Sequence, residues 1–209
     1  MKLFSMPGAC STADHIALQW TGQPFEVEVM TRETLGSPAF LAINPARSIP
    51  VVVDGDYVLT QNTAILTYIA ETYPQAKLFG DGSPRQRAEA MRWQAFGNAD
   101  VHPVFGAFFA PGIYLSDPAQ HDALQAAART RLRGLFERAD AQLEGKTWIA
   151  GFRSVADPYL YIMLRWAGMF GIDLDGLIHL DAFKRRMESD AGVRAALEAE
   201  GLAPAVPRL

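Results

Sequence analysis

The residues around the only cysteine of the chain have types and a spacing that suit thiol chemistry. Cys10 follows the turn formers Pro7 and Gly8 and precedes a segment with helical apolar spacing. At a helix N-terminus, free backbone N–H groups and the positive end of the helix dipole favour an anion. A thiol there is expected to have a lowered pKa, as a nucleophile or as a partner for another thiolate. The neighbouring Ser11 can cap the helix or donate to a bound sulfur.

A strand and a helix must position this turn. The apolar run of residues 2–6 predicts a first β-strand. After the turn, Ala13, Ile16 and Trp20 lie on one face of a predicted helix. A lone cysteine is also commonly a small buried hydrophobe, so these residues alone leave a structural interpretation of Cys10 open.

Composition and charge restrict the class of protein. The chain has 209 residues, of which 49% are hydrophobic and 20% charged, with a net charge of −4. This length suits one large or two small domains, and the lack of a basic run argues against nucleic acid or an anionic membrane as a partner. One cysteine excludes an intrachain disulfide and suits a reducing compartment. With no signal peptide and no apolar stretch that could cross a bilayer, we expect a cytoplasmic protein.

Strand and helix patterns alternate before Tyr73, whereas later segments indicate helices alone. The first part has the order βαβ, short helix, ββα, which predicts a small mixed sheet of the thioredoxin-like kind. Its predicted elements after the first helix are a strand at 25–29, a short helix capped by Ser37, a strand at 49–54, a strand at 57–59 and a helix opened by residues 60–62. We expect an α/β domain at 1–77, a linker at 78–85 and an all-helical domain at 86–209.

The helical part carries several boundary signals. A long helix is predicted to start near Pro84 and to include His102, with Pro103 ending or kinking it. Ser154 and Asp157 have the spacing of a capping box before another helix. Three further helices are predicted. The first starts at 117–118 and stops at Gly145, and the other two lie near 180–189 and 191–200.

Several motifs, in this order and spacing, resemble bacterial beta-class glutathione S-transferases across nearly the whole chain. They are residues 7–11 (PGACS), 40–45 (FLAINP) with 49–51 (IPV), 59–65 (LTQNTAI), 100–102 (DVH) and 151–157 (GFRSVAD). The resemblance implies a thioredoxin-like domain followed by an all-α domain. It also implies transfer of the glutathione thiolate, as co-substrate, to a small apolar electrophile, and a homodimer.

The resemblance further implies a set of site residues. A cis Pro50 would turn the backbone of Ile49 toward the cysteinyl part of glutathione, in the manner of an added β-strand. Gln61 and Asn62, at a helix N-terminus, would bind the γ-glutamyl end. Either Arg32 or Arg47 would pair with a glutathione carboxylate, and the resemblance loosely favours Arg32. Cys10, Ser11 and His102 would serve catalysis, with His102 on the wall of the electrophile site.

The sequence departs from the family pattern at three positions, and two other functions stay open. Gln61 stands where the family usually has an acidic residue, and Asn62 stands where it usually has a small one. Pro103 stands where the family often has a lysine. One alternative is a thiol–disulfide enzyme, in which Cys10 forms a mixed disulfide with glutathione. Another is a non-catalytic carrier of glutathione or an apolar ligand. The other histidines form no cluster, so no metal site is expected.

Overall fold

Four strands form a mixed sheet in the N-terminal part of the molecule. The computed structural model describes residues 1–202. The strands are β1 (Lys2–Ser5), β2 (Glu26–Val29), β3 (Val51–Asp54) and β4 (Tyr57–Thr60), in the order β2-β1-β3-β4. β1 and β2 are parallel, whereas β3 is antiparallel to both of its neighbours. The predicted thioredoxin-like sheet is thereby confirmed.

Three helices cover both faces of this sheet. They are α1 (Ser11–Thr21), α2 (Pro38–Ile43) and α3 (Asn62–Thr72). Successive strand residues point to opposite faces, so Leu3 and Val52 join the large core that includes α1 and α3. Phe4 and Val51 instead join a smaller cluster with Phe40 of α2. Because both faces are covered, the central strands β1 and β3 are largely apolar.

The rest of the described chain is helical. Its helices are α4 (Pro84–Ala95), α5 (His102–Phe109), α6 (His121–Leu143), α7 (Ala156–Met169), α8 (Ile178–Ser189) and α9 (Ala191–Ala199). Within residues 1–202, no helix combines the length and the hydropathy that a bilayer crossing requires. Residues 203–209, which close the predicted domain 86–209, lie outside the described residues.

The long helix expected from Pro84 is interrupted earlier than predicted. A π-helical segment, Phe96–Val101, separates α4 from α5. Pro103 is not the break, because it occupies the first turn of α5, where a missing N–H is tolerated. His102 therefore lies at the start of a new helix, immediately after the wider π-helical turns.

The predicted capping box forms at the start of α7 in a modified way. Asp157 Oδ2 accepts from the Ser154 N–H at 2.7 Å, as such a box requires. The Ser154 hydroxyl, however, accepts from the Ala156 N–H at 3.3 Å rather than from that of Asp157. Asp157 Oδ1 also accepts from the Ile149 N–H, so the box joins the start of α7 to the preceding loop.

The helical part packs directly on the sheet-bearing part. Both α7 and α9 contact α1. Leu78 and Phe79, in the segment predicted as a linker, are buried, and Phe79 pairs with Ser154 in an isolated β-bridge. The segment between the two parts is therefore a packed element that reaches the start of α7.

Candidate active site

Helices from both parts of the chain hold the loop that presents Cys10. Gly8 has a φ of 74°, in the left-handed region that glycine adopts readily. Its N–H donates to Thr12 Oγ1 at 3.1 Å, and its carbonyl accepts from Trp166 Nε1 of α7 at 2.7 Å. Because both backbone groups of Gly8 are bonded, the loop is fixed between α1 and α7.

Burial dominates the acidity of the Cys10 thiol. Cys10 is the N-cap of α1, and its Sγ lies 3.9 Å from the carbonyl oxygen of Ile49. Desolvation by burial is the largest cause that raises the pKa of Cys10 to about 12, although the first backbone N–H groups act in the opposite direction. The expected lowered pKa is therefore wrong. At neutral pH Cys10 is a thiol.

Ser11 lies behind the loop rather than at its surface. Its side chain is fully buried: Oγ accepts from the Met6 N–H at 3.0 Å, and it lies 3.0 Å from Ser5 Oγ, to which the Ser11 O–H can donate. The predicted helix cap does not form, because Ser11 is the first residue of α1 and its hydroxyl turns toward β1. The structure thus places the Ser11 hydroxyl among internal partners.

A buried carboxylate supports the same loop from beneath. Glu200, just after α9, is 4% exposed. Its Oε1 accepts from Ser5 Oγ at 2.6 Å and lies 3.0 Å from His15 Nδ1, while Oε2 accepts from Thr12 Oγ1 at 2.6 Å. The two hydroxyls in turn bond Ser11 and the Gly8 loop. The end of α9 is therefore connected to the Cys10 loop through charge-assisted hydrogen bonds.

The Ile49–Pro50 peptide bond is cis, as the family resemblance implied. It stands immediately before β3, which begins at Val51 rather than at the predicted Ile49. Pro50 is buried, and the Ile49 carbonyl faces Cys10 Sγ. Within the described chain, the Ile49 N–H donates no hydrogen bond.

The N-terminus of α3 lies beside the Cys10 loop. Asn62 is its first residue, and the side chain is buried: Nδ2 donates to the Cys10 carbonyl at 2.9 Å and to Asp14 Oδ2 at 2.8 Å. Gln61 precedes it with an exposed side chain and a φ of 75°. The structure therefore leaves the Gln61 side chain and the first N–H groups of α3 for contact with a ligand.

The two candidate arginines lie in exposed segments before β3. Arg32 follows β2 and is exposed. Arg47 has a φ of 54°, and its guanidinium lies against Gly36. Neither arginine forms an ion pair with a described residue.

His102 stands on an aromatic wall that contacts the Cys10 loop through Trp166. The centroids of the His102 and Trp166 rings are 4.8 Å apart. His102 Nδ1 lies 2.6 Å from the Tyr159 hydroxyl, which fixes the ring. Burial lowers the pKa of His102, so the imidazole is neutral at pH 7.

Phenylalanines extend this wall toward solvent. Phe109 is 50% exposed, and its ring lies 5.2 Å from Trp166 and 5.1 Å from Phe170. Phe105 is fully buried behind them. An exposed aromatic face next to a thiol-bearing loop is suited to hold an apolar molecule.

The structure brings some predicted site residues together and leaves others apart. Cys10, Ile49 and Asn62 are in contact, and His102 reaches the same loop through Trp166. The sequence alone gave no role to Thr12, Tyr159, Trp166 or Glu200. A buried Tyr or Trp usually needs a hydrogen-bond partner, and this is the one sequence signal that pointed to Tyr159 and Trp166.

Comparisons with known proteins identify the family of this chain. Residues 1–71 match the family described as "Glutathione S-transferase, N-terminal domain", and residues 98–191 match its C-terminal domain. This chain belongs to the glutathione S-transferase family. It is 51% identical over 203 residues to glutathione S-transferase GST-4.5 of Xanthomonas campestris, covering 97% of this chain and 100% of that protein.

Solved glutathione transferases share the fold. The enzyme from Xylella fastidiosa superposes with a TM-score of 0.93 at 50% identity, over 97% of this transferase and 99% of that chain. A sphingomonad enzyme complexed with glutathione gives 0.85 at 38% identity, and the beta-class enzyme of Sphingomonas chungbukensis gives 0.85 at 37%. Both of these alignments cover 97% of this transferase and 100% of the other chain. The beta-class resemblance expected from the sequence is confirmed.

Proposed function

We propose that this glutathione transferase binds glutathione along the edge formed by Ile49 and the start of α3, and transfers its sulfur to an apolar electrophile on the His102 wall. The observation that carries the proposal is the position of Cys10. Its thiol contacts Ile49, and its loop is bonded to Trp166 of the wall. A glutathione sulfur bound beside Cys10 would therefore lie near both the Ile49 edge and the His102 wall.

The backbone of Ile49 supports a peptide-like mode of binding. Its N–H is unbonded within residues 1–202, and the cis bond before β3 places this backbone at the Cys10 loop. Glutathione is a short extended peptide, so its cysteinyl part can add to the chain as a short strand. The γ-glutamyl carboxylate would then bind the first N–H groups of α3 near Gln61, and Arg32 or Arg47 would pair with a carboxylate.

The state of Cys10 favours conjugation over disulfide exchange. With a pKa of about 12, Cys10 keeps its proton at pH 7. A neutral S–H can donate a hydrogen bond to a glutathione thiolate but is a poor nucleophile. Glutathione loses its thiol proton to solvent, a new sulfur–carbon bond forms, and the leaving group departs with its electron pair. Holding both reactants in one place supplies further acceleration.

The electrophile is apolar because the wall that would hold it is aromatic. Phe109 offers an exposed ring, and His102 is neutral at pH 7. Pro103 stands where the family pattern often has a lysine, so this position adds no cation for an anionic substrate. The planar rings of the wall suit an aryl or other flat electrophile.

Parallel assays with a chloronitrobenzene and with a glutathione mixed disulfide test this function. We expect clear conjugation and slow disulfide reduction in the wild type. Cys10→Ala should lower conjugation only modestly and abolish the remaining disulfide reduction, because no other cysteine is present. Disulfide reduction exceeding conjugation would favour the thiol–disulfide function. Tight glutathione binding with neither activity would favour a carrier.

We further propose a cytoplasmic homodimer with the domain division 1–77, 78–85 and 86–209. A groove of about 560 Å³ lies between α3 and α4, lined mostly by apolar atoms. Tyr57 and Met91 on its rim are 47% and 43% exposed. Such a surface is typical of an interface between subunits, and a single cysteine suits a reducing compartment.

A further inference from the structure

Two buried oxygen atoms without partners belong to the two members of one hydrogen-bonded pair. Asn62 Nδ2 of α3 donates to Asp14 Oδ2 of α1 at 2.8 Å. Asp14 Oδ1 and Asn62 Oδ1 are both buried, and neither has a partner among the described residues. The two residues are 0% and 6% exposed. A buried polar atom without a partner costs free energy, so two of them on one hydrogen-bonded pair require an explanation.

The surroundings of Asp14 do not favour a charge. In the part of the chain that the structure describes, no cation forms an ion pair with it. The titratable groups around it are Cys10 just before α1, Tyr159 of α7, and Glu200 after α9 with its partner His15 of α1. Burial raises the pKa of Asp14 well above its ordinary value, the Asn62 hydrogen bond opposes this in part, and the Glu200 carboxylate adds to it.

We propose that Asp14 is an uncharged carboxylic acid in the folded protein and a positioning residue for the start of α3. The acid O–H donates from Asp14 Oδ1 to Asn62 Oδ1, while Asn62 Nδ2 donates to Asp14 Oδ2. This two-bond acid–amide pair gives both unpartnered oxygens a partner and needs no counterion.

The pair connects the two elements that would bind glutathione. Asn62 Nδ2 also donates to the Cys10 carbonyl at 2.9 Å, so the amide joins α3 to the Cys10 loop. An uncharged Asp14 places no negative charge beneath the α3 N-terminus, where the γ-glutamyl carboxylate would bind. This consequence rests on the proposed function, whereas the acid–amide pair itself does not.

Two substitutions in the full-length protein test the positioning role. Asp14→Asn keeps the shape and replaces the acid O–H by an N–H, so an amide–amide pair can form. Asp14→Ala removes both hydrogen bonds. We expect Asp14→Ala to weaken glutathione binding about tenfold by calorimetry, and Asp14→Asn to restore it to within about twofold of the wild type.

Infrared spectroscopy and pH-dependent unfolding test the proton itself. A wild-type minus Asp14→Asn difference spectrum at neutral pH should contain the C=O band of a protonated carboxyl. The subtraction is needed because burial also raises the pKa of Asp157 to about 7. The ordinary pKa of an aspartic acid is 3.8, so the unfolded chain loses the Asp14 proton above that pH. The folded protein keeps this proton, because its Asp14 pKa is raised. The wild type should therefore lose stability relative to Asp14→Asn as the pH rises above about 4.

Several outcomes would overturn the proposal. A difference spectrum without the protonated band, or an Asp14→Asn variant as impaired as Asp14→Ala, would mean that Asp14 acts as a carboxylate. Unchanged glutathione binding in a folded Asp14→Ala variant would remove the positioning role. If the wild type itself binds no glutathione, the proposed function fails, yet the spectrum and the unfolding data still decide whether Asp14 carries the proton.

Discussion

Cys10 illustrates how one residue responds to two opposing effects. Its position before α1 brings backbone N–H groups near the sulfur, which favours the thiolate. Desolvation disfavours it more strongly and raises the pKa to about 12. A thiol of this kind is suited to donate a hydrogen bond to another sulfur rather than to attack one.

The pH dependence of Cys10 alkylation measures this balance. In the native protein, the rate of iodoacetamide labelling should be slow at neutral pH and should rise about tenfold per pH unit while the protein stays folded, because the rate follows the thiolate fraction. Mass spectrometry would give the rate, with circular dichroism confirming the fold. The urea-unfolded chain is the control, and its labelling rate should level off above pH 9.0, the ordinary pKa of a cysteine. A native rate that levels off below pH 8 would contradict the raised pKa.

At the scale of elements, α7 holds the site together. Trp166 is 2% exposed, donates to the Gly8 carbonyl and packs against His102 and Phe109. Tyr159, two turns earlier on the same helix, bonds His102. One helix thus positions both the thiol-bearing loop and the aromatic wall, so their separation depends on the placement of α7.

Trp166→Phe should loosen the Cys10 loop while keeping an aromatic ring in the wall. The Gly8 carbonyl would lose its partner, which should lower the free energy of unfolding by about 1–3 kcal/mol. We also expect a higher KM for glutathione, measured by steady-state conjugation. Trp93→Phe is the matched control, because it loses an indole bond to Glu89 within α4. Equal effects of both variants on KM would contradict a specific role for the Trp166–Gly8 bond.

For the whole molecule, the exposed groove between α3 and α4 is the surface on which the proposed homodimer depends. Burying an apolar surface gives about 25 cal/mol per Å². A charge introduced into that surface would have to be desolvated without a partner, which strongly opposes association. In the proposed homodimer, the oligomeric state should therefore respond to a single residue on the rim of the groove.

If the proposed homodimer forms through this groove, Met91→Asp should convert it to a monomer. Sedimentation velocity at low micromolar concentration would show the change, and the far-UV spectrum should be retained. Ile178→Asp is the control, since Ile178 is 66% exposed on α8, outside the groove. A dimer that persists in Met91→Asp but dissociates in Ile178→Asp would place the interface elsewhere.

Local sequence patterns determined the elements and much of the candidate site. Apolar runs, alternation and turn residues predicted the four strands, because side-chain period and backbone preferences act within a few residues. The turn at Gly8, the position of Cys10 before α1 and the proline just before β3 follow from neighbouring residues in the same way. The motif order then sufficed for the family, since spacing along the chain is itself a sequence property.

Contacts between distant segments decided the rest. The pKa of Cys10 depends on burial, which arises only when the loop packs against other elements. Ser11 turned inward because Ser5 and Glu200 lie behind it, and Glu200 is far away in the sequence. The π-helical turns before His102 and the pairing of Asp14 with Asn62 likewise require neighbouring helices to be in place. Desolvation and hydrogen bonds between helices are properties of the packed molecule, so no local pattern encodes them.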